Sequence, residues 1–167
     1  MSVAEMIRCR WLCAALLLVL TGCADPARIP PGVGRAEVLQ RLGPPTSVYP
    51  MGAAERLQYS RAPAGTEVTN IDVGDNGRVL AVTQVLDERR FAADIQPGVW
   101  HEADVLRTYG RPEEVTRVSS FTGVVWSWRY KWLNAPRLLY IYIDPQGMVV
   151  RYNVGDDPRY DHRMTRE

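Results

Sequence analysis

Residues 38–46 read VLQRLGPPT, and residues 105–113 read VLRTYGRPE. In both stretches apolar residues at helical spacing run into a glycine and then a proline. Val38, Leu39 and Leu42 form one stripe; Val105, Leu106 and Tyr109 form the other. Gly43 and Gly110 stand where a left-handed helix cap belongs, and Pro44-Pro45 and Pro112 forbid continuation. The same helix stop thus occurs twice, 67 residues apart.

Working outward, Gly34 opens the first helix, and Glu102 and Asp104 load the first turn of the second with negative charge, where the helix dipole favours it. After each stop come strand patterns: 55–61, 67–73 and 78–85 in the first half, 124–131, 138–143 and 148–153 in the second. Asp75-Asn76-Gly77 and Asp144-Pro145-Gln146-Gly147 are the turns before the last strand of each half. Aligned on Gly77 and Gly147 the halves are offset by 70, and the difference from 67 lies in the loop TRVSSFTG, residues 116–123.

Between the halves, LDERRFAADIQPG (86–98) predicts a helix with Leu86, Phe91, Ala92 and Ile95 on one face and Pro97-Gly98 at its end. The matching helix of the first half is short or missing, because PARIPPG (26–32) is proline-rich. The order of signals predicts an α+β fold of two tandem helix-helix-three-strand antiparallel units, residues 32–85 and 86–155. These are expected to form one continuous or paired sheet with helices on one face. Joining the sheets would cover one open edge per unit. Residues 156–167 read as a polar tail.

The chain has 167 residues, 46% hydrophobic and 23% charged, with a net charge of +1. That balance supports a core and gives no basic excess for nucleic acid. The first 22 residues read as a secretory signal: Arg8 and Arg10 precede the apolar WLCAALLLVL, which is too short to span a bilayer of about 30 Å. Leu20-Thr21-Gly22-Cys23 resembles the bacterial lipobox, in which the cysteine becomes the lipid-modified (palmitate-bearing) N-terminus. Cleavage there removes Cys9 and Cys13, so Cys23 has no disulfide partner, and acylation accounts for it. The mature body keeps 18 basic and 18 acidic side chains. Several acyl chains make a stable anchor. Ala24 after the cysteine favours outer-membrane sorting, on the periplasmic face, and residues 23–31 read as a lipidated linker.

A glycine, a helix with Val at its fourth place, Leu-Gly-x-Pro, then strands and a glycine turn resemble the SmpA/OmlA (BamE-like) outer-membrane lipoprotein domain. Gly32, Gly34, Val38, Leu42, Gly43 and Pro45 carry the resemblance in the first unit, and Gly98, Val105, Gly110 and Pro112 in the second. It covers about residues 31–153. Two units in tandem also resemble the β-lactamase-inhibitor-protein architecture. The family often has Thr at the helix N-cap, where Gly34 and His101 stand here, and the second unit has one extra residue after Gly98. The resemblance implies a non-catalytic outer-membrane lipoprotein, a protein-binding or structural factor in cell-envelope assembly, including that of β-barrel outer-membrane proteins. The alternative is an inhibitor-like module that caps a periplasmic enzyme.

In VVWSWRYKW (124–132), Trp126, Trp128, Tyr130 and Trp132 alternate, so a strand puts all four on one face. That face either packs the helices or offers a partner surface, with Trp132 at the strand end best placed for the second role. Residues for catalysis are sparse. His101, Glu102 and Asp104 form the one His-carboxylate cluster of the body, and a negative first turn accounts for its acids. The two histidines lack zinc spacing, and Asp72–Gly77 lacks the ligand pattern of a calcium loop. No catalytic residue, metal or cofactor is therefore assigned; the expected partners are the membrane, through Cys23, and envelope proteins.

Overall fold

The computed structural model describes residues 25–160. It is an α+β fold with three α-helices and two four-stranded antiparallel sheets. After a 3-10 turn at Pro26–Arg28 come α1 (Arg35–Leu42), β1 (Ser47–Met51), β2 (Ala54–Ser60), β3 (Val68–Val73) and β4 (Val79–Gln84). Then follow α2 (Glu88–Asp94), α3 (Glu102–Tyr109), β5 (Glu114–Thr116), β6 (Val124–Trp132), β7 (Ala135–Ile143) and β8 (Val149–Asp156), with a 3-10 turn at Pro158–Tyr160. The strand orders are β1-β2-β3-β4 and β5-β6-β7-β8, simple meanders. Among the described residues no helix is long and apolar enough to cross a membrane.

Both helix stops form as their residues dictate. Gly43 (φ 75°, ψ −167°) and Gly110 (φ 71°, ψ −167°) take nearly the same backbone conformation. Each returns its N–H to the helix, to Leu39 O at 2.8 Å and to Leu106 O at 2.9 Å. Positive φ is what a side chain resists and glycine does not. The helix starts match as well. Arg35 N–H donates to Gly77 O at 2.9 Å and Glu102 N–H to Gly147 O at 3.0 Å, so each β-turn satisfies an amide at the open end of a helix. Bulges fall at Asp72/Val73 and at Tyr142/Ile143, the same place in each third strand.

Two expectations need correction. Each sheet has four strands rather than three, because β1 and β5 precede the expected ones. β1 contains Pro50, which has no N–H for a ladder and is tolerated because β1 is an edge strand. β5 is three residues long. The sheets also stay separate instead of forming one continuous sheet. The edge of β4 is partly taken by the segment before α1: Gly32 N–H donates to Val79 O (2.8 Å) and Val79 N–H to Val33 O (2.9 Å). The edge of β8 is taken in the same way by Gly98 and Trp100, at 2.8 Å each. These bonds tie the start of each edge strand, at Val79 and Val149, to its own chain.

Two cores result. Val38 of α1 packs with Ile29, Leu57, Ile71, Val73 and Val79. The larger core joins Phe91, Val105 and Tyr109 of α2 and α3 to the inner face of the second sheet, and it also takes in Val68, Val85 and Leu86. The boundary expected between residues 85 and 86 is therefore no boundary of packing. The tail expected from 156 is also shorter at its start: Asp156 ends β8, and Asp157 is 2% exposed.

Candidate functional site

The first sheet is covered on both faces, which decides what surface remains. Alternation along β2 sends Leu57 toward α1 and Gln58 to the opposite face, where the C-terminal end of α3 arrives. Gln58 Nε2 donates to Leu106 O and Arg107 O, both at 3.2 Å, and to Asn70 Oδ1 at 3.2 Å. Asn70 Nδ2 donates to Thr108 O at 2.9 Å. Arg56, held by Asp72 through bonds of 2.7 and 2.9 Å, reaches Arg107 O at 3.4 Å. The last carbonyls of a helix lack partners within it and carry the negative end of its dipole, so amide and guanidinium donors suit them. A polar cleft of about 360 Å³ opens beside this seam, between Arg56, Asp72, Arg90, Asp94 and Trp100. Its charges are already paired, Arg56 with Asp72 and Arg90 with Asp94.

The aromatic strand is core for most of its length. Trp128 and Tyr130 are fully buried and Trp126 is nearly so; these three are not available to a partner. Phe91 meets Tyr130 edge-on at 5.2 Å, and Tyr109 lies 5.9 Å from Trp128. Trp128 Nε1 donates to Arg111 O at 3.1 Å, fixing the chain just after the α3 stop. The Tyr130 hydroxyl donates to Glu88 Oε2 at 2.6 Å, and burial followed by that bond pushes its pKa up. Tyr109 is pushed up mainly by burial, and its hydroxyl has no hydrogen-bond partner among the described residues. Trp132 alone of the four reaches the surface, half-buried with the Arg89 guanidinium 5.7 Å above its ring.

Two further clefts lie on the second sheet and at its hairpin tip. The face opposite the core carries Ser127, Arg129, Leu138 and Tyr140, which line a cleft of about 290 Å³ closed by Asp157–Arg159. Arg129 pairs there with both Glu113 and Asp157, and Arg159 with Glu113 at 3.0 Å. At the other site a groove of about 360 Å³ runs between Glu67, Gln84, Asp87 and the tip residues Lys131, Trp132 and Leu133.

His101, Glu102 and Asp104 do not converge. Asp104 accepts the His101 backbone N–H at 2.9 Å and pairs with Arg107, so it caps and braces its helix. Asp72 of the rejected calcium loop is occupied by Arg56. Among the described residues no three His, Cys, Asp or Glu side chains cluster as metal ligands. Cys23 and the signal segment lie outside the described residues. Sequence reasoning missed the Gln58–Asn70 seam and the Arg129 cluster, since a buried glutamine on a strand looks like any alternate polar residue.

No family model matches the chain, and no curated protein matches it in sequence. Among solved structures it is similar to a DUF4309 family protein, YjgB, from Bacillus subtilis subsp. subtilis str. 168. The two share 12% identity over 74% of this chain and 78% of that one, with a TM-score of 0.31. A likeness that distant transfers neither fold nor function.

Proposed function

We propose that the chain is a non-catalytic lipoprotein of the outer membrane, anchored at Cys23 on the periplasmic face. Its role would be that of a protein-binding or structural factor in cell-envelope assembly, with β-barrel outer-membrane proteins as the leading client class. The observation that carries the reading is Leu20-Thr21-Gly22-Cys23 at the end of an apolar segment, followed by a chain with no other cysteine after it. The body is read as two tandem BamE-like units. Matched bonds at Gly43 and Gly110, and from Arg35 and Glu102 to the two turn carbonyls, support that pairing. The arrangement suits a scaffold: Asp72, Asp94, Glu113 and Asp157, which line two of the clefts, are each tied to an arginine.

The test is purification of the tagged protein from its own envelope in mild detergent, with Cys23→Ala as control and bound proteins identified by mass spectrometry. Stoichiometric recovery of barrel-assembly components, lost in Cys23→Ala, is the expected result. Recovery of one soluble periplasmic enzyme instead would replace the assembly role by the inhibitor-like one.

A further inference from the structure

The hairpin joining β6 and β7 turns on two residues, Leu133 and Asn134, with φ of 47° and 65°. Two-residue turns of this hand match the twist of the strands and are ordinarily filled by Asn, Asp or Gly. Asn134 fits that rule. Leu133 breaks it, because a bulky side chain is strained at positive φ. It is also 84% exposed, the most exposed of the large apolar residues described. An asparagine at that position would serve both the turn and solubility better. A residue that strains the fold and adds little to its packing points to a use outside the fold.

Its neighbours supply the chemistry. Lys131, the single lysine of the sequence, is exposed and makes no ion pair among the described residues. Trp132 has one side against the core and the rest at the surface. Consecutive residues thus present a cation, an amphipathic ring and an apolar wedge. That set suits the head-group boundary of a bilayer, where tryptophan rings concentrate and lysine reaches the phosphates.

The tip also lies toward the end of the body from which the chain enters. Gly34 bridges Arg78 in antiparallel sense, so residues ahead of Gly32 head toward the Gln84 end of β4, and the Pro26–Arg28 turn lies against that strand. Gln84 lines the same groove as Trp132 and Leu133. Asp25 is two residues beyond Cys23, a reach of about 7 Å of extended chain.

We propose that the Lys131–Trp132–Leu133 tip is a second contact with the lipid bilayer: Leu133 enters the interface, the free edge of Trp132 lies at head-group level, and Lys131 meets lipid phosphate. The proposal rests on the lipoprotein reading for the nearness of the membrane. One leucine is too little to bind alone, but a tethered body meets the surface at high effective concentration, so the contact sets orientation.

The experiment uses the mature protein purified from the envelope and reconstituted into protein-free vesicles of phosphatidylethanolamine and phosphatidylglycerol. Thiols introduced by Leu133→Cys and, as reference, Val99→Cys (62% exposed) are reacted with a water-soluble maleimide. The L133C thiol should react several-fold more slowly on vesicles than the V99C thiol. As a second variant, Leu133→Asn should melt no lower than wild type yet lose the slowed amide exchange that vesicles confer on residues 131–135. Equal reactivity of the two thiols on vesicles overturns the proposal. Protection of L133C in native envelopes but not in protein-free vesicles also overturns it, in favour of a protein pocket. The unsubstituted chain reports separately on the anchor, since it is labelled only where Cys23 is free. A blocked Cys23 with equal reactivity of the two thiols ends the tip contact alone, whereas a free Cys23 ends the lipid-anchor reading and with it the tethering on which the tip contact rests.

Discussion

The side-chain amide of Gln58 lies 3.2 Å from the carbonyl oxygen of Leu106, so a strand of the first sheet closes the last turn of a helix 48 residues away. Gln58 is 1% exposed, and its partner Asn70 is 2% exposed. Arg107 O and Thr108 O, which α3 does not satisfy itself, are met across the seam by Gln58, Arg56 and Asn70, and the two halves are held in one relation. Gln58→Ala removes the second donor to Leu106 O, which keeps the Gly110 N–H, and leaves Arg107 O with Arg56 alone at 3.4 Å. The expected loss is about 1 kcal/mol of unfolding free energy, read from the midpoint of denaturant unfolding. Combined with Asn70→Ala, the loss should fall short of the sum, because both amides serve the same helix end.

Gly43 and Gly110 offer an internal comparison. Their φ angles are 75° and 71°, so an alanine at either site carries a similar backbone penalty, roughly 1–2 kcal/mol. Their surroundings differ. A methyl at Gly43 meets nothing within 4 Å, whereas one at Gly110 comes within 2.9 Å of Gln58 Oε1. Gln58 is held through Nε2 by three bonds, so swinging Oε1 aside disturbs them. Gly110→Ala should therefore cost about 1 kcal/mol or more beyond Gly43→Ala, as overpacking does. In a Gln58→Ala background that excess should disappear. Equal midpoint shifts for the two single variants would mean that Gln58 moves freely.

Asp157 shows that the chain beyond β8 belongs to the fold. Its side chain is 1% exposed and pairs with Arg129, while its Oδ1 accepts the Arg159 N–H at 3.1 Å. Asp157→Ala leaves Arg129, itself 16% exposed, with only Glu113 and Arg159's competing charge nearby. Arg129 keeps Glu113, so what is lost is its charge-assisted bond to Asp157 and the Asp157 cap on the Arg159 N–H, a loss of about 1.5–3 kcal/mol. Adding salt should change it little, since screening acts weakly on buried pairs. A loss that vanishes at high salt would place the pair in solvent.

What could be read in advance was whatever has a side-chain signature. The helix stops at Gly43 and Gly110 appeared in the sequence as apolar stripes ending in Gly and Pro, and both are in place. The six stronger strand patterns were legible from alternation. β1 was hidden because Pro50 argues against a strand unless the strand is known to be an edge, and β5 is too short to show a period. The bonds at the starts of β4 and β8 were invisible for another reason. Val33 and Trp100 bond through the main chain, which any residue could supply. The aromatic run could be placed on one face but not assigned to core or surface; packing by Phe91, Val105 and Tyr109 settled three of its four rings as core. The candidate tip at Leu133 could not be found beforehand, because its oddness lies in a backbone angle.

Alkaline pH tests the second core directly. Burial, the larger cause, and the Glu88 bond raise the pKa of Tyr130, and burial chiefly raises that of Tyr109, both above the ordinary value of 10.0. A tyrosine with a raised pKa holds its proton in the folded state at pH values where the unfolded chain has released it. Its contribution is fully present below pH 10 and is lost as pH rises from there toward the folded-state pKa. Unfolding free energy should thus be flat from neutral pH to about pH 9 and fall steeply above pH 10, beyond what exposed tyrosines produce. Tyr109→Phe removes a hydroxyl that has no partner among the described residues, so it should leave neutral-pH stability unchanged or raise it while flattening the alkaline fall. Tyr130→Phe should flatten the fall too, but at a cost at neutral pH, because Glu88 loses its donor at 2.6 Å. Denaturant midpoints across the alkaline range for wild type and both variants distinguish these outcomes. An unchanged alkaline slope in Tyr109→Phe would show that the hydroxyl reaches water in the folded protein.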